Sequence, residues 1–495
     1  MSTFVARRSR RIEQLTRLAS QSDLYPPEIW EHIFRHLTGL QILRTRLVCR
    51  RWRDIIAGCP LLLRKLRIRF DNRRYRELVD DFPLLPITEI SILEYSVVVA
   101  PDWWPWVSRK LTHLTLFDCG VEVSLLLGML QQTSNLRCLK IRECFLEGTA
   151  EPSVQFPQLE ELTLDKVEYD HYDDNEYTNL LDIFEKIFPR LRDLRIRKIG
   201  ENGFNVERLV PAIRALASTL DALEMDFAGV NVLRDLPELT RTRLRRISVH
   251  VDPYFELDRW SRFFRAQPLL DDLVMFTTNL ATNMMVCDIG RAVSNLKRLK
   301  LHVTNTFSTD FLEFMPNLEY FELHGEVFED IHLYKRGSPR LTELHLRDVD
   351  VNGFWPFLNL SPLLRRIVLH GCTLNFQTSN VKALRNIRTL EIDEDSNVPL
   401  KMLKALLRKC PSLEEFSFGS AEDYPDSVPL LICERLKRLR KLSLRGYPVT
   451  DASVDHIVQH GRALEEVRLN AYVLSEETIE RLLANSNLQV WLDQY

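Results

Sequence analysis

A six-residue pattern recurs along this chain: apolar, two variable, apolar, one variable, apolar. It stands as LTHLTL at Leu111, LRCLKI at Leu136, LEELTL at Leu159 and LRDLRI at Leu191, and returns at Leu220, Leu244, Leu270, Leu296 and Leu318. Further copies begin at Leu341, Leu364, Ile387, Leu413, Leu439 and Leu464. Two earlier copies, at Leu63 and Ile87, extend the series backwards, and a partial copy at Leu488 closes it. The 425 residues from Leu63 to Leu488 hold 17 intervals, a mean of 25.

Within each copy the period is two, which places alternate side chains on opposite faces of a strand. In LTHLTLF, Leu114 and Leu116 are expected to point inward, and His113, Thr115 and Phe117 outward. No single copy can bury its own leucines, so neighbours must stack into one core. Segments such as SVDHIVQHGRALEEV, before the last full copy, read as helical returns.

A period of 25 with this strand signature resembles the leucine-rich repeat. Cys119, Cys144 and Cys372 fall at the ninth repeat position, where the cysteine-containing subtype places Cys or Asn. Cys59-Pro60, Cys410-Pro411 and the turn Val449-Thr450-Asp451 resemble the same subtype. The implied fold class is α/β: a curved parallel sheet with helices or irregular returns on its convex side. It would span residues 63–495 as about 17–18 repeats. The spacing lengthens before Leu191, where the acidic, tyrosine-rich stretch Glu168 to Tyr177 reads as a surface loop.

Residues 24–56 differ in kind. Pro26 and Pro27 suit a helix entry, and Ile29, Ile33 and Leu37 recur at helical spacing with Trp30 and Phe34 widening the stripe. Gly39 reads as the stop, with a second helix through Ile42, Leu43, Leu47 and Val48 and a third through Trp52, Ile55 and Ile56. So short a segment cannot cover this much apolar surface. What stays exposed marks a protein contact.

The run Tyr25-Pro26, Glu28-Ile29-Trp30, Ile33-Phe34, Leu37 and Leu47-Val48-Cys49-Arg50-Arg51-Trp52 resembles the F-box, with Tyr25 and Trp30 where that family places Leu. The resemblance implies a small all-α module at residues 21–62 that docks on the acidic Skp adaptor and through it on a cullin scaffold. Pro26, Ile29, Ile33, Phe34, Leu37, Val48 and Trp52 would carry that contact or its supporting core. A competing assignment has Ile33 and Leu47 only holding the module together.

Charge divides along the chain. Residues 1–75 hold 17 Lys+Arg and 6 Asp+Glu, a balance of +11; the whole carries −3, so the remainder carries −14. Residues 1–20, with Arg7, Arg8, Arg10 and Arg11, read as a basic flexible tail. An acidic body argues against nucleic acid as the partner, and the basic head suits an acidic protein. No stretch approaches a membrane span. The nine cysteines never form C-x-x-C, which points to reduced thiols and a cytoplasmic or nuclear setting.

Catalysis finds no support. Only 16 glycines occur, none closer than Gly200 and Gly203, so dinucleotide and phosphate-loop fingerprints are absent, as is a G-x-S-x-G elbow. The pairs His32/His36 and His456/His460 lack the Glu of a zinc-protease motif. No cofactor and no metal are expected.

Outward positions from Arg246 to His370 are rich in cations and imidazoles: Arg246, His250, Arg298, Lys300, His302, His324, His345, Arg347, Arg366 and His370, interrupted by Asp272, Glu322 and Glu343. This lane is expected to bind an acidic or phosphorylated segment of a protein substrate. The aromatic stretch Pro101-Asp-Trp-Trp-Pro-Trp106, and Trp260 and Trp355, all between strands, are expected to pack the convex return side. The implied function is substrate recognition for a ubiquitin ligase of the Skp–cullin–F-box (SCF) type, leading its target to proteasomal degradation. The alternative is an interaction scaffold without ligase activity.

Overall fold

In the computed structural model, the described residues are 25–63, 65, 67–71, 89–93, 96–97, 104–148, 154–169, 180–198, 206–226, 243–251, 257–277, 283–303, 307–333, 337–375, 382–419, 427–445, 447, 449–470, 474–484 and 488–493. The basic tail and residues 170–177 of the acidic stretch lie outside them. The chain divides into two compact units, Met1–Val232 and Leu233–Tyr495.

Among the described residues the first unit begins with helices α1 (Pro27–Phe34), α2 (Gly39–Arg46) and α3 (Arg50–Gly58), followed by the single turn Pro60–Leu63. Gly39 does not stop the first helix; it begins the second. The cause is the capping box one residue earlier, in which the Thr38 hydroxyl accepts from Gln41 N–H and the Gln41 side chain accepts from Thr38 N–H. Cys49 caps α3, its Sγ accepting from Trp52 N–H at 3.5 Å.

Seven parallel strands follow in that unit: Arg67–Asp71, Glu89–Leu93, His113–Phe117, Cys138–Arg142, Glu161–Asp165, Asp193–Arg197 and Ala222–Asp226. The second unit stacks Arg246–Val251, Asp272–Thr277, Arg298–Val303, Tyr320–His332, Glu343–Asn352 and Arg366–His370. It continues through Thr389–Ile392, Glu415–Phe418, Lys441–Leu444, Glu466–Asn470 and Gln489–Asp493.

Across the full copies from Leu111 to Leu464 the inward positions follow the sequence pattern. Leu114 sits opposite Leu139, Leu162 opposite Leu194, Leu299 opposite Phe321, and Leu442 opposite Val467. The two inward rows are buried in every full copy from Leu111 to Leu464. Each such aliphatic side chain stabilises the stack by about 1.5–3 kcal/mol. The two terminal copies are shifted. Ile68, not Leu66, stands opposite Ile90, and Val490 stands opposite Val467, leaving Trp491 on the outward face, 49% exposed.

After the strand the chain turns sharply. Asp118, Glu143, Lys166, Lys198 and Asp348 all take φ between 47° and 53°, and Gly371 takes φ 58° at the same repeat position. L-residues with a side chain pay about 1–2 kcal/mol for this. At Asp118, Glu143, Lys166 and Lys198 the turn points the N–H at the next strand: Asp118 N–H donates to Arg142 O at 3.0 Å and Glu143 N–H to Asp165 O at 2.7 Å.

The cysteine beyond the turn is buried and closes it. Cys119 Sγ–H donates to the carbonyls of Ile92 and Phe117, Cys144 to Arg142, and Cys372 to Leu346 and His370, all within 3.5 Å. Burial pushes the thiols of Cys372 and Cys410 up to about 12, far from a reactive thiolate.

In the first unit a second small parallel sheet follows these turns: Ser96–Val97, Gly120–Glu122, Phe145–Glu147 and Glu168–Tyr169. Helices such as Val123–Gln131 and Leu400–Lys409 then return the chain. Trp104, Trp260 and Trp355 are buried in these returns, with Trp104 Nε1–H donating to Met129 O at 3.0 Å, while Trp106 is exposed. Thr450, in the turn before the Asp451–His460 helix, caps it by accepting from Ser453 N–H.

Candidate functional sites: the helical head and the strand face

In the head, Trp30, Phe34 and Trp52 form a triangle of rings, with centroids 5.8 Å (Trp30–Phe34), 4.8 Å (Trp30–Trp52) and 5.4 Å (Phe34–Trp52) apart. Ile42, Ile55, Ile56, Cys59 and Leu62 complete this core, and Leu37, Val48 and Cys49 pack against it half-buried. The seven residues named from the sequence therefore separate. Phe34 and Trp52 are core, Leu37 and Val48 flank it, and Pro26, Ile29 and Ile33 are exposed.

Ile29 and Ile33 lie one helical turn apart on α1, 46% and 44% exposed, and Leu47, which ends α2, is 86% exposed. Leu47 is the most exposed of the three, whereas Ile33 is partly covered. Tyr25 and Leu61 add exposed apolar surface that the sequence reading left unused. Side-chain contacts tie the head's segments: Arg51 donates to Tyr25 O at 2.8 Å, and Lys65 Nζ donates to Arg35 O and, at 3.1 Å, to Leu37 O.

On the strand face of the second unit, register aligns one outward row across six successive strands: His250, Phe276, His302, His324, Arg347 and His370. The His250 side chain lies outside the described residues. Phe276 and His302 stack with centroids 4.3 Å apart, and His302 Nδ1 is 3.1 Å from His324 Nδ1. His324 Nε2 is 3.0 Å from Asp348 Oδ2. Phe276 and Asp348 belong to this constellation without having been anticipated; Phe276 was legible from the same row count.

The cations of the lane are not open to solvent alone. Asp272 lies 3.1 Å from Arg246 and 3.9 Å from Arg298. Glu322 lies 2.9 Å from Lys300 and 3.3 Å from Arg347, and accepts from the Tyr320 hydroxyl. Glu391 lies 3.2 Å from Arg366 and 3.4 Å from His370. His345 lies 3.4 Å from Glu343 and 4.9 Å, centroid to centroid, from the Tyr320 ring, over which Arg298 sits at 4.1 Å.

Burial opposes the charge of Glu322, yet the Tyr320 and Lys300 hydrogen bonds and the Lys300 and Arg347 charges hold its carboxyl down at about 2. Burial lowers His345 below the ordinary imidazole value, whereas the Glu391 carboxylate, 3.4 Å from its Nε2, raises His370 above it. Each guanidinium or ammonium of the lane thus has a carboxylate within 4 Å. Among the described residues no cluster of three His, Cys, Asp or Glu could hold a metal ion.

The model of the F-box domain matches residues 26–64. Solved structures similar to the chain include an internalin from Listeria monocytogenes strain 4b F2365, at 13% identity over 81% of this chain and 85% of that one, with a TM-score of 0.33. A leucine-rich-repeat protein of Leptospira interrogans is similar at 14% identity over 81% and 99%, with a TM-score of 0.34. No curated protein matches the chain. Residues 26–64 thus match the F-box domain, and stacked parallel strands with one buried apolar pattern per strand follow them.

Proposed function

We propose that this chain is the substrate-recognition subunit of an SCF-type ubiquitin ligase. Its F-box docks on the Skp adaptor, and through it on a cullin, while the repeats hold a protein target in the cytoplasm or nucleus. The observation that carries this reading is the F-box at residues 26–64 leaving Ile29, Ile33 and Leu47 exposed beside a core that is otherwise closed. The chain would make and break no bonds itself; holding a target beside the conjugating machinery raises the effective concentration of its lysines.

The strand-face lane is the proposed target contact. An acidic or phosphorylated segment there must exchange with Asp272, Glu322 and Glu391, which already pair its cations. Arg298→Ala with Arg347→Ala is expected to weaken capture of the target.

The test of the adaptor step is gel filtration of the full chain with purified Skp adaptor. Co-elution is expected for the natural chain and its loss for Ile29→Asp with Ile33→Asp, at an unchanged thermal midpoint. Co-elution that survives both changes overturns the docking surface. A natural chain that does not bind the adaptor leaves the scaffold reading in its place.

A further inference from the structure

A cavity of about 510 Å³ lies in the last repeats of the second unit, where the Ser427–Arg435 and Asp451–His460 helices end and the next strands begin. Leu436, Leu439 and Leu464 line it together with Lys437, His460 and Arg462, and no carboxylate is among its lining residues. Lys437, His460 and Arg462 are its basic lining residues, and the same helix ends in the chain carry Arg408 and Lys409, then Arg435 with Arg438 three residues on.

Helix C-termini attract cations, which accounts for the residues in the last turns. It does not account for Arg438 and Arg462, which stand beyond the helix ends and are exposed. Lys437 uses one of its three protons on the Cys433 carbonyl at 3.4 Å. The contrast with the strand face is in the pairing. There every lane cation has a carboxylate partner; here Arg435, Arg438 and Arg462 have none within 4 Å among the described residues.

We propose that this corner is a second binding surface, separate from the adaptor contact and the strand face, and that its occupant is a short acidic peptide segment of a partner protein. Such a segment carries carboxylates for the unpaired guanidinium groups and apolar side chains for the leucine-lined cavity. A nucleic acid fits less well. It needs a continuous basic track, and the chain beyond residue 75 carries −14.

The test is fluorescence anisotropy of a labelled peptide of alternating Glu and Leu, titrated with the full chain. Lys437→Glu with Arg462→Glu is expected to weaken binding about tenfold or more. Arg192→Ala, whose side chain pairs with Asp221 in the first unit, should leave it unchanged. Arg462→Gln alone should weaken binding by about threefold and Arg462→Lys restore most of it, at an unchanged thermal midpoint. Absence of peptide binding, or equal binding by the charge-reversed chain, overturns the proposal. So does tighter binding of a single-stranded oligonucleotide than of the peptide, or full displacement by millimolar inorganic phosphate.

Discussion

His302 and His324 face one another across adjacent strands with their Nδ1 atoms 3.1 Å apart, and His324 Nε2 meets Asp348 Oδ2 at 3.0 Å. An ionised carboxylate only accepts. His324 must therefore carry its proton on Nε2 when neutral, which leaves its Nδ1 bare. His302 then has to donate from Nδ1. Nitrogen NMR of the histidines at neutral pH should show the Nε2–H tautomer for His324 and the Nδ1–H tautomer for His302. Asp348→Ala should erase the preference at His324. The opposite tautomer at His302 would contradict the arrangement.

The neighbouring Glu391 carboxylate raises His370, and His370 in turn lowers Glu391. For His370, a folded value above the unfolded one means stability fully present below about pH 6.5 and lost as pH rises through the folded value. For Glu391 the sign reverses: its contribution is present above the unfolded carboxyl value and lost as pH falls through the lowered folded one. His345, lowered by burial, opposes His370, since acid must charge an imidazole that the fold keeps neutral. Glu391→Gln should therefore lower the thermal midpoint more at pH 5.5 than at pH 8. Proton NMR should show the His370 titration moving down towards about 6.5.

Trp52→Ala removes one ring from the triangle with Trp30 and Phe34 and should destabilise the head by about 3–5 kcal/mol. Ile33→Ala, at a half-exposed position, should change stability by less than about 0.5 kcal/mol. Denaturant melts of the two variants separate core from contact. Comparable losses in both would mean that Ile33 supports the fold.

Gly325 and Gly371 both crowd Asp348. A Cβ on Gly325 would run into the Asp348 carbonyl, and one on Gly371, at φ 58°, into the Asp348 carboxylate. Gly325→Ala and Gly371→Ala should each cost about 1–3 kcal/mol. Gly128→Ala, where nothing lies within 4 Å of the new carbon, should cost nothing and offers the control. Thermal melts of the three variants check the ranking.

The inward rows were legible because period two and a strand every 25 residues or so leave one consistent stacking. The shifts at Ile68 and Val490 were not, since a terminal strand has a neighbour on one side only to enforce its register. The sharp turns escaped notice because Asp118, Glu143 and Lys166 occupy them where glycine would have announced a positive φ. On α1, Ile29/Ile33 and Trp30/Phe34 lie on one broad apolar stripe. Helical spacing alone cannot say which pair faces inward; the Trp52 ring on α3 decides it. The lane's cations could be counted from the row positions. Asp272 and Glu322 looked like interruptions there, whereas the folded chain uses them as counter-ions to residues two strands apart.

That pairing makes the strand face electrically closed. A ligand cannot simply add its charge; it must trade places with a carboxylate already seated between two cations. Salt weakens the ladder inside the protein and the contact that replaces it together, so the two losses offset. For the proposed target segment, selectivity would then come from matching the alternation of sign from strand to strand, at steps of about 4.8 Å. A uniformly acidic chain would meet Glu322 and Asp272 as repulsion, whereas a target with alternating charges could copy the ladder's own spacing.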